Sequence, residues 1–287
     1  MADVEQLTGP VAFHAEGPVW SPAWGGLRWV DMFAGDVLSM SLSGPAGGDI
    51  ARRRVGAIAA ALRPRRGGGA VIAVERGFAL EDADGELRVL PDLWADPGLR
   101  MNDGGCDPDG RFYCGSMAYD KAPGRGTLFR LDGDGATSAI FDGSTISNGL
   151  DWSPDGSTAY YIDTPTRRID VFDYAPDAGL TGRRTFVEIT DSPGSPDGLT
   201  VDAHGHVWVA LFGGSAVRRY RPDGKLDGVI ELPVTNVTAC TFAGADLDEL
   251  VITTSREDLP EGTQPEAGSL FRCRPGVAGQ PALEFAG

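Results

Sequence analysis

The chain has 287 residues, enough for one large domain or two ordinary ones, and it is rich in glycine (41) and proline (20). Against 25 Lys and Arg stand 41 Asp and Glu, a net charge of −16 that repels phosphate backbones and anionic lipid, so neither nucleic acid nor a membrane is an expected partner. The N-terminus, MADVEQLTGPVAF, has no basic region followed by a continuous apolar run, and no stretch approaches the ~18 apolar residues of a membrane span; a cytoplasmic protein is expected.

A short β-compatible piece at 11–14 precedes a series of six units. Unit one (15–56) offers GPVWSP, LRWVDMF and DVLSMSL; unit two (57–100) offers AIAALRP, GAVIAV, GFALED and ELRVLP. Unit three (101–145) holds GGCDPDGRFYCGSM, GTLFRLD and ATSAIF, and unit four (146–195) holds GLDWS, TAYYIDT, RIDVFDY and RTFVEI. Unit five (196–235) gives GLTVD, HVWVALF, AVRRYRP and DGVIELP; unit six (236–287) gives VTACTF, ELVITTS, SLFRCRP and a final ALEF. Strand alternation dominates and no convincing amphipathic helix interrupts it.

The clearest unit is ISNGLDWSPDGSTAYY at 146–161, a hairpin signature with apolar runs on both sides of a tight Asp-Gly turn. Asn148 stands eight residues before its turn glycine, Gly156. The same spacing relates Asn102 to Gly110, Asp197 to Gly205 and Asn236 to Gly244. Glu16 takes this slot in unit one, where Trp20-Ser21-Pro22 is in register with Trp152-Ser153-Pro154, and Ile58 takes it in unit two. The steps between these residues are 42, 44, 46, 49 and 39. A period in the forties with about four short strands per repeat predicts an all-β fold, a six-bladed β-propeller of four-stranded antiparallel blades forming one domain over 1–287. An N-terminal strand pairing into the last blade would close the ring and leave no open sheet edge.

In such a ring the first strand of each blade lines the central channel, so Glu16, Asn102, Asn148 and Asp197 converge at one end as hard oxygen donors. That set suits one divalent metal ion, Ca²⁺, Mg²⁺ or Mn²⁺, and less selectively Zn²⁺ or Fe²⁺. Two carboxylates neutralise the ion while the Asn oxygens coordinate it without adding charge. Asn236 is expected to line the channel without touching metal. The tetrapeptide at 195–198 repeats the turn at 153–156 letter for letter, yet apolar runs flank 202–205, which places the turn there and starts a strand at Asp197. Cys106 and Cys114 lie on two arms of one hairpin, where a cross-strand contact is possible, although buried free thiols fit a cytoplasmic protein better. The arginine clusters at 52–54 and 63–66 read as turn-like solvated loops ahead of an anion site. The three histidines, His14, His204 and His206, form no obvious triad with a serine.

At AEGPVW (15–20), RMNDGGCDPDGRFYCGSM (100–117), ISNGLDWSPDG (146–156) and SPDGLTVDAHGHVWVA (195–210) the chain resembles the gluconolactonase and senescence-marker-protein (regucalcin-like) lactonases. The resemblance implies a propeller with a single divalent metal held by Glu16, Asn148 and Asp197, and substrate bound by Arg100 and Asn102. It also implies an acidic residue for substrate hydroxyls after the Gly-Ser-Met segment, a position that Asp120 matches with a shorter acid than the glutamate often found there. The implied reaction is hydrolysis of a sugar (aldono)lactone, a small-molecule partner, with the metal polarising the carbonyl and Asp197 as general base. A monomer or weak homo-oligomer is expected. Two other readings stand beside it: phosphotriester hydrolysis of organophosphate type on the same fold, and a non-catalytic calcium-binding propeller. Arg100 beside Asn102 argues against the last, since a cation site gains nothing from a guanidinium nearby.

Overall fold

Short runs of β-branched and aromatic residues, each ended by a glycine-bearing turn, leave the chain little but antiparallel hairpins to form. The computed structural model, which describes residues 3–42 and 48–287, contains six four-stranded antiparallel sheets. Blade 1 comprises β2 (Ala15–Ser21), β3 (Gly26–Asp31), β4 (Asp36–Met40) and β5 (Ala51–Arg54); blade 2 comprises β6 (Ala59–Pro64), β7 (Ala70–Val74), β8 (Gly77–Glu81) and β9 (Leu87–Val89). Blade 3 is β10 (Leu99–Cys106), β11 (Phe112–Ala118), β12 (Gly126–Leu131) and β13 (Thr137–Ser144); blade 4 is β14 (Ser147–Trp152), β15 (Thr158–Asp163), β16 (Arg168–Ala175) and β17 (Gly179–Glu188). Blade 5 holds β18 (Ser195–Val201), β19 (Val207–Phe212), β20 (Ala216–Tyr220) and β21 (Leu226–Glu231). Blade 6 holds β22 (Val237–Ala243), β23 (Glu249–Thr254), β24 (Leu270–Cys273) and, as its outermost strand, β1 (Glu5–Gln6). The innermost strands pack in the closed cycle β2, β6, β10, β14, β18, β22 and back to β2. No helix among the described residues is long and apolar enough to cross a membrane.

The expected closure of the ring is present, but a different segment makes it. Glu5 pairs with Arg272 and Gln6 with Phe271, whereas the piece at 11–14 contributes only a single bridge, His14 to Ser255. Pro10 has no N–H to give to a ladder, and the residues after it carry the chain from the rim of blade 6 back to the axis. The core lies between blades. Phe78 and Phe112 meet edge to face at 5.7 Å between blades 2 and 3, as do Trp208 and Phe242 at 5.7 Å between blades 5 and 6, and Tyr113 and Trp152 meet at a tilt at 5.8 Å between blades 3 and 4. Each such ring, fully buried, stabilises the fold by roughly 1.5–3 kcal/mol.

The arginines at 52–54 are on the outer strand β5 and not in a turn: Arg52 pairs with Asp31 and Asp36, and Arg53 with Glu81. Arg63 and Pro64 likewise lie within β6. The cysteines are buried and free; Cys106 faces Phe112 and Cys114 faces Gly104 across the ladder, so the two thiols are out of register with each other.

One irregularity recurs in every blade. Pairing of the innermost strand with its neighbour slips just after Glu16, Ala59, Met101, Asn148, Pro196 and Val237, and resumes at Val19, Ala61, Gly104, Leu150, Leu199 and Ala239. A bulge leaves residues unpaired and re-aims them. The eight-residue spacing therefore does not mark one equivalent ladder position, as expected from the sequence. Glu16 and Asn148 are the last paired residues before their bulges, Asn102 and Asp197 lie inside theirs, and Ile58 and Asn236 fall one residue short. The glycines after Asn148 and Asp197 let neighbouring inner strands close up: a Cβ on Gly149 would stand 2.6 Å from Leu199 N, and one on Gly198 2.5 Å from Ala239 Cβ.

Candidate metal and substrate site

At one end of the channel Glu16, Asn148 and Asp197, from blades 1, 4 and 5, line a cavity that opens to solvent. All three side chains are buried. Glu16 Oε2 accepts a hydrogen bond from Gly17 N at 2.7 Å, and Asn148 Nδ2 donates to Thr164 Oγ1 at 3.0 Å. Burial, with the charges of Asp197 and Asp103 nearby, raises the pKa of Glu16 well above its ordinary value. Burial raises Asp197 in the same direction, with Asp103 next; Asn148 and Arg100 pull it back. Two buried carboxylates that repel each other are a poor arrangement unless a cation joins them.

The carboxamide of Asn148 points the same way. Its Oδ1 is buried and accepts no hydrogen bond, a state that costs roughly 1–3 kcal/mol where nothing fills it. Among the described residues no three His, Cys, Asp or Glu side chains gather into a metal cluster. The donor set is instead two carboxylates and one amide oxygen, all hard, which fits a divalent cation that retains water as further ligands.

Beside these donors stand Arg100 and Asn102 of β10. Arg100 is 5% exposed and makes no ion pair among the described residues. Its Nη1 donates to Asn102 Oδ1 at 2.7 Å and Met101 O at 3.0 Å, while Nε is buried without a partner. The guanidinium lies over the rings of Phe33 at 5.2 Å and Tyr119 at 5.9 Å. Burial lowers its pKa, offset by Glu257, Tyr119 and Glu16. Asn102 Nδ2 donates to Ser147 O at 2.8 Å, so this amide is locked at both ends and its oxygen is already in use.

The remaining sequence candidates lie elsewhere. Asp120 is exposed in the turn after β11, where its Oδ1 accepts from Ala122 N at 3.0 Å, and the next residue, Lys121, lines the cavity in its place. Asn236 turns its amide to Glu257 O at 2.7 Å and is not part of the cavity wall. Ile58 is buried among apolar residues of blades 1 and 2. His204 is exposed, and His206 Nδ1 rests 3.0 Å from Asp202 Oδ2.

Three titratable wall residues are not marked by the sequence: His14, Lys121 and Glu257. His14 carried one usable signal, since strand alternation puts it on the same face as Glu16 two residues later. Glu257 carried none. Its neighbour Ser255 meets His14 only because the ring closes, 241 residues apart in the chain.

Residues 14–256 match the SMP-30/gluconolactonase/LRE-like region. Regucalcin of Sus scrofa is 36% identical over 285 residues, which cover 95% of this chain and 94% of that protein. Pentonolactonase XacC of Haloferax volcanii is 35% identical over 274 residues, covering 93% and 92%. The crystal structure of a calcium-binding regucalcin from Agrobacterium tumefaciens superposes with a TM-score of 0.89 at 29% identity, over 100% of this chain and 97% of that one.

Proposed function

The chain belongs to the SMP-30/gluconolactonase/LRE-like family as a lactone-hydrolysing enzyme, and we propose that it opens the ester ring of a sugar lactone with one divalent cation held by Glu16, Asn148 and Asp197. The observation that carries this reading is the unpartnered Oδ1 of Asn148 in a wall it shares with two mutually repelling carboxylates. When bound, the cation supplies a Lewis acid that polarises the lactone carbonyl and offsets negative charge on its oxygen. A calcium-binding relative supports a hard divalent ion, and the donor set accepts Ca²⁺, Mg²⁺, Mn²⁺, Zn²⁺ or Fe²⁺.

The chain's own residues account for the rest. Asp197 takes the proton from the attacking water, and the amide of Asn148 beside it favours the ionised carboxylate this requires. Glu16, fixed by Gly17 N, supplies the second negative charge that balances the cation. Arg100 lines the cavity without an ion pair among the described residues, which leaves its guanidinium as a charge-assisted donor to the oxygens of the substrate. Asn102, held between Arg100 and Ser147 O, keeps that guanidinium in one orientation. Asp120 shapes the turn that presents Tyr119 and Lys121 at the mouth.

Metal-reconstituted protein incubated with five- and six-membered sugar lactones is expected to release acid faster than buffer does. No acceleration with any lactone under any of the five cations overturns the proposal. Paraoxon turnover above lactone turnover would move the assignment to phosphotriester hydrolysis.

A further inference from the structure

The cavity has a second polar wall, centred on His14. Its ring Nδ1 lies 2.8 Å from Ser255 Oγ and 3.3 Å from Glu257 Oε2. With its ring proton on Nδ1, His14 donates toward Ser255 Oγ and the Glu257 carboxylate, and Nε2 is left as an acceptor. No protein group among the described residues bonds to that nitrogen. Phe33 packs on the ring with centroids 5.0 Å apart.

Glu257 does double duty. Its other oxygen, Oε1, is 3.5 Å from Lys121 Nζ, which arrives from the β11–β12 connection of blade 3, the blade diametrically opposite blade 6 in a ring of six. Lys121 has φ 58°, a conformation that a residue other than glycine adopts only when its surroundings hold it there. Arg100 stacks on the same Phe33 ring as His14. One aromatic ring thus lies between His14 Nε2, an acceptor, and the Arg100 guanidinium, a donor, and both residues line the cavity. A hydroxyl group both donates and accepts, so a polyol satisfies this wall, whereas an unsubstituted lactone leaves both groups desolvated and unpaired.

We propose that His14 is a specificity-determining residue: its Nε2 accepts a hydrogen bond from a hydroxyl of the substrate, and the site thereby selects polyhydroxylated lactones over lactones that lack hydroxyls. The inference rests on the lactone reading and extends it to the part of the substrate away from the ester.

The test compares metal-loaded wild type, His14→Leu and His14→Gln on glucono-1,5-lactone and on δ-valerolactone, and measures binding of 1,5-anhydroglucitol, which has hydroxyls but no ester, by calorimetry. In His14→Leu the ratio of kcat/KM for the hydroxylated lactone to that for the unsubstituted one should fall roughly 3- to 10-fold, mostly through KM, and anhydroglucitol should bind more weakly by a similar factor. His14→Gln, whose carboxamide oxygen reaches the place of Nε2, should recover most of both. An unchanged ratio with intact anhydroglucitol binding overturns the role of His14 while leaving lactone hydrolysis in place, and equal loss on both lactones overturns it in favour of a structural role. Should the wild type open neither lactone, weaker anhydroglucitol binding in His14→Leu would still support the subsite, and equal binding would end it.

Discussion

Replacing Asn148 with leucine separates a metal-binding residue from a structural one by the sign of the effect on stability. In the metal-free protein Oδ1 is buried without a partner, so removing it regains roughly 1–3 kcal/mol. The lost bond from Nδ2 to Thr164 Oγ1 subtracts about 1 kcal/mol, and Thr164 is not orphaned, since its hydroxyl still donates to Pro196 O at 2.8 Å. The metal-free variant should therefore be as stable as the wild type or up to about 2 kcal/mol more so. With cation the order reverses. At a concentration 100 times Kd, binding stabilises the wild type by about 2.7 kcal/mol; a variant bound 100-fold more weakly keeps only about 0.4 kcal/mol at that concentration. Urea melts with calcium and with chelator measure both quantities. A variant that loses 2 kcal/mol or more without metal yet keeps the full calcium shift would refute the assignment, because Asn148 would then be an ordinary packing residue.

Asp197→Asn should lower kcat by about 10²- to 10⁴-fold as expected for loss of a general base; full activity in a steady-state assay would remove Asp197 from the reaction. Arg100→Met should raise KM and cut kcat/KM about 10- to 100-fold, the effect of one charge-assisted hydrogen bond, without weakening cation binding; a weaker cation Kd by calorimetry would contradict its place on the substrate side. Glu16 and Asp197 bind protons more tightly when folded than at their ordinary values of 4.5 and 3.8. Their contribution to stability is thus fully present below those values and is lost as pH rises through the raised ones in metal-free protein. Cation binding should accordingly release protons at pH values below the raised ones, and fewer as pH rises, seen as a dependence of the calorimetric enthalpy on buffer ionisation; no release at any pH would contradict the raised carboxylates.

The sequence made the blades legible because strand alternation and glycine turns are local. The six-unit period follows from turns such as Gly156 N to Ser153 O and Gly205 N to Asp202 O, each readable from a few letters. The two copies of Ser-Pro-Asp-Gly show where local reading still succeeds: residues 153–156 form a turn, residues 195–198 begin β18, and the flanking apolar runs distinguish them. Counting eight residues back from the turn brought Glu16, Asn102, Asn148 and Asp197 to one cavity, yet it misjudged their equivalence. A bulge adds one residue to the inner strand without any turn residue to announce it. The second wall was invisible for another reason. His14 and Glu257 are neighbours only through ring closure, and Asp120 and Lys121 exchange places through one left-handed residue.

The bulges also explain how so acidic a chain concentrates charge usefully at its axis. Those of blades 1, 3 and 5 each leave two consecutive residues unpaired, and in blade 3 these diverge: Asn102 faces the open cavity, while Asp103 faces the chamber behind it, with Arg63 and Asp151. Residues 280–283 pack across that chamber, and Gln280 donates to Trp152 O at 2.7 Å. Asp103 is therefore kept out of contact with substrate and solvent at the mouth, yet its charge reaches both Glu16 and Asp197 and raises their pKa. A field that disfavours two ionised carboxylates favours a doubly charged cation between them by the same interaction. The inner strand so turns a neutral amide to the open cavity and a charge to the chamber behind it.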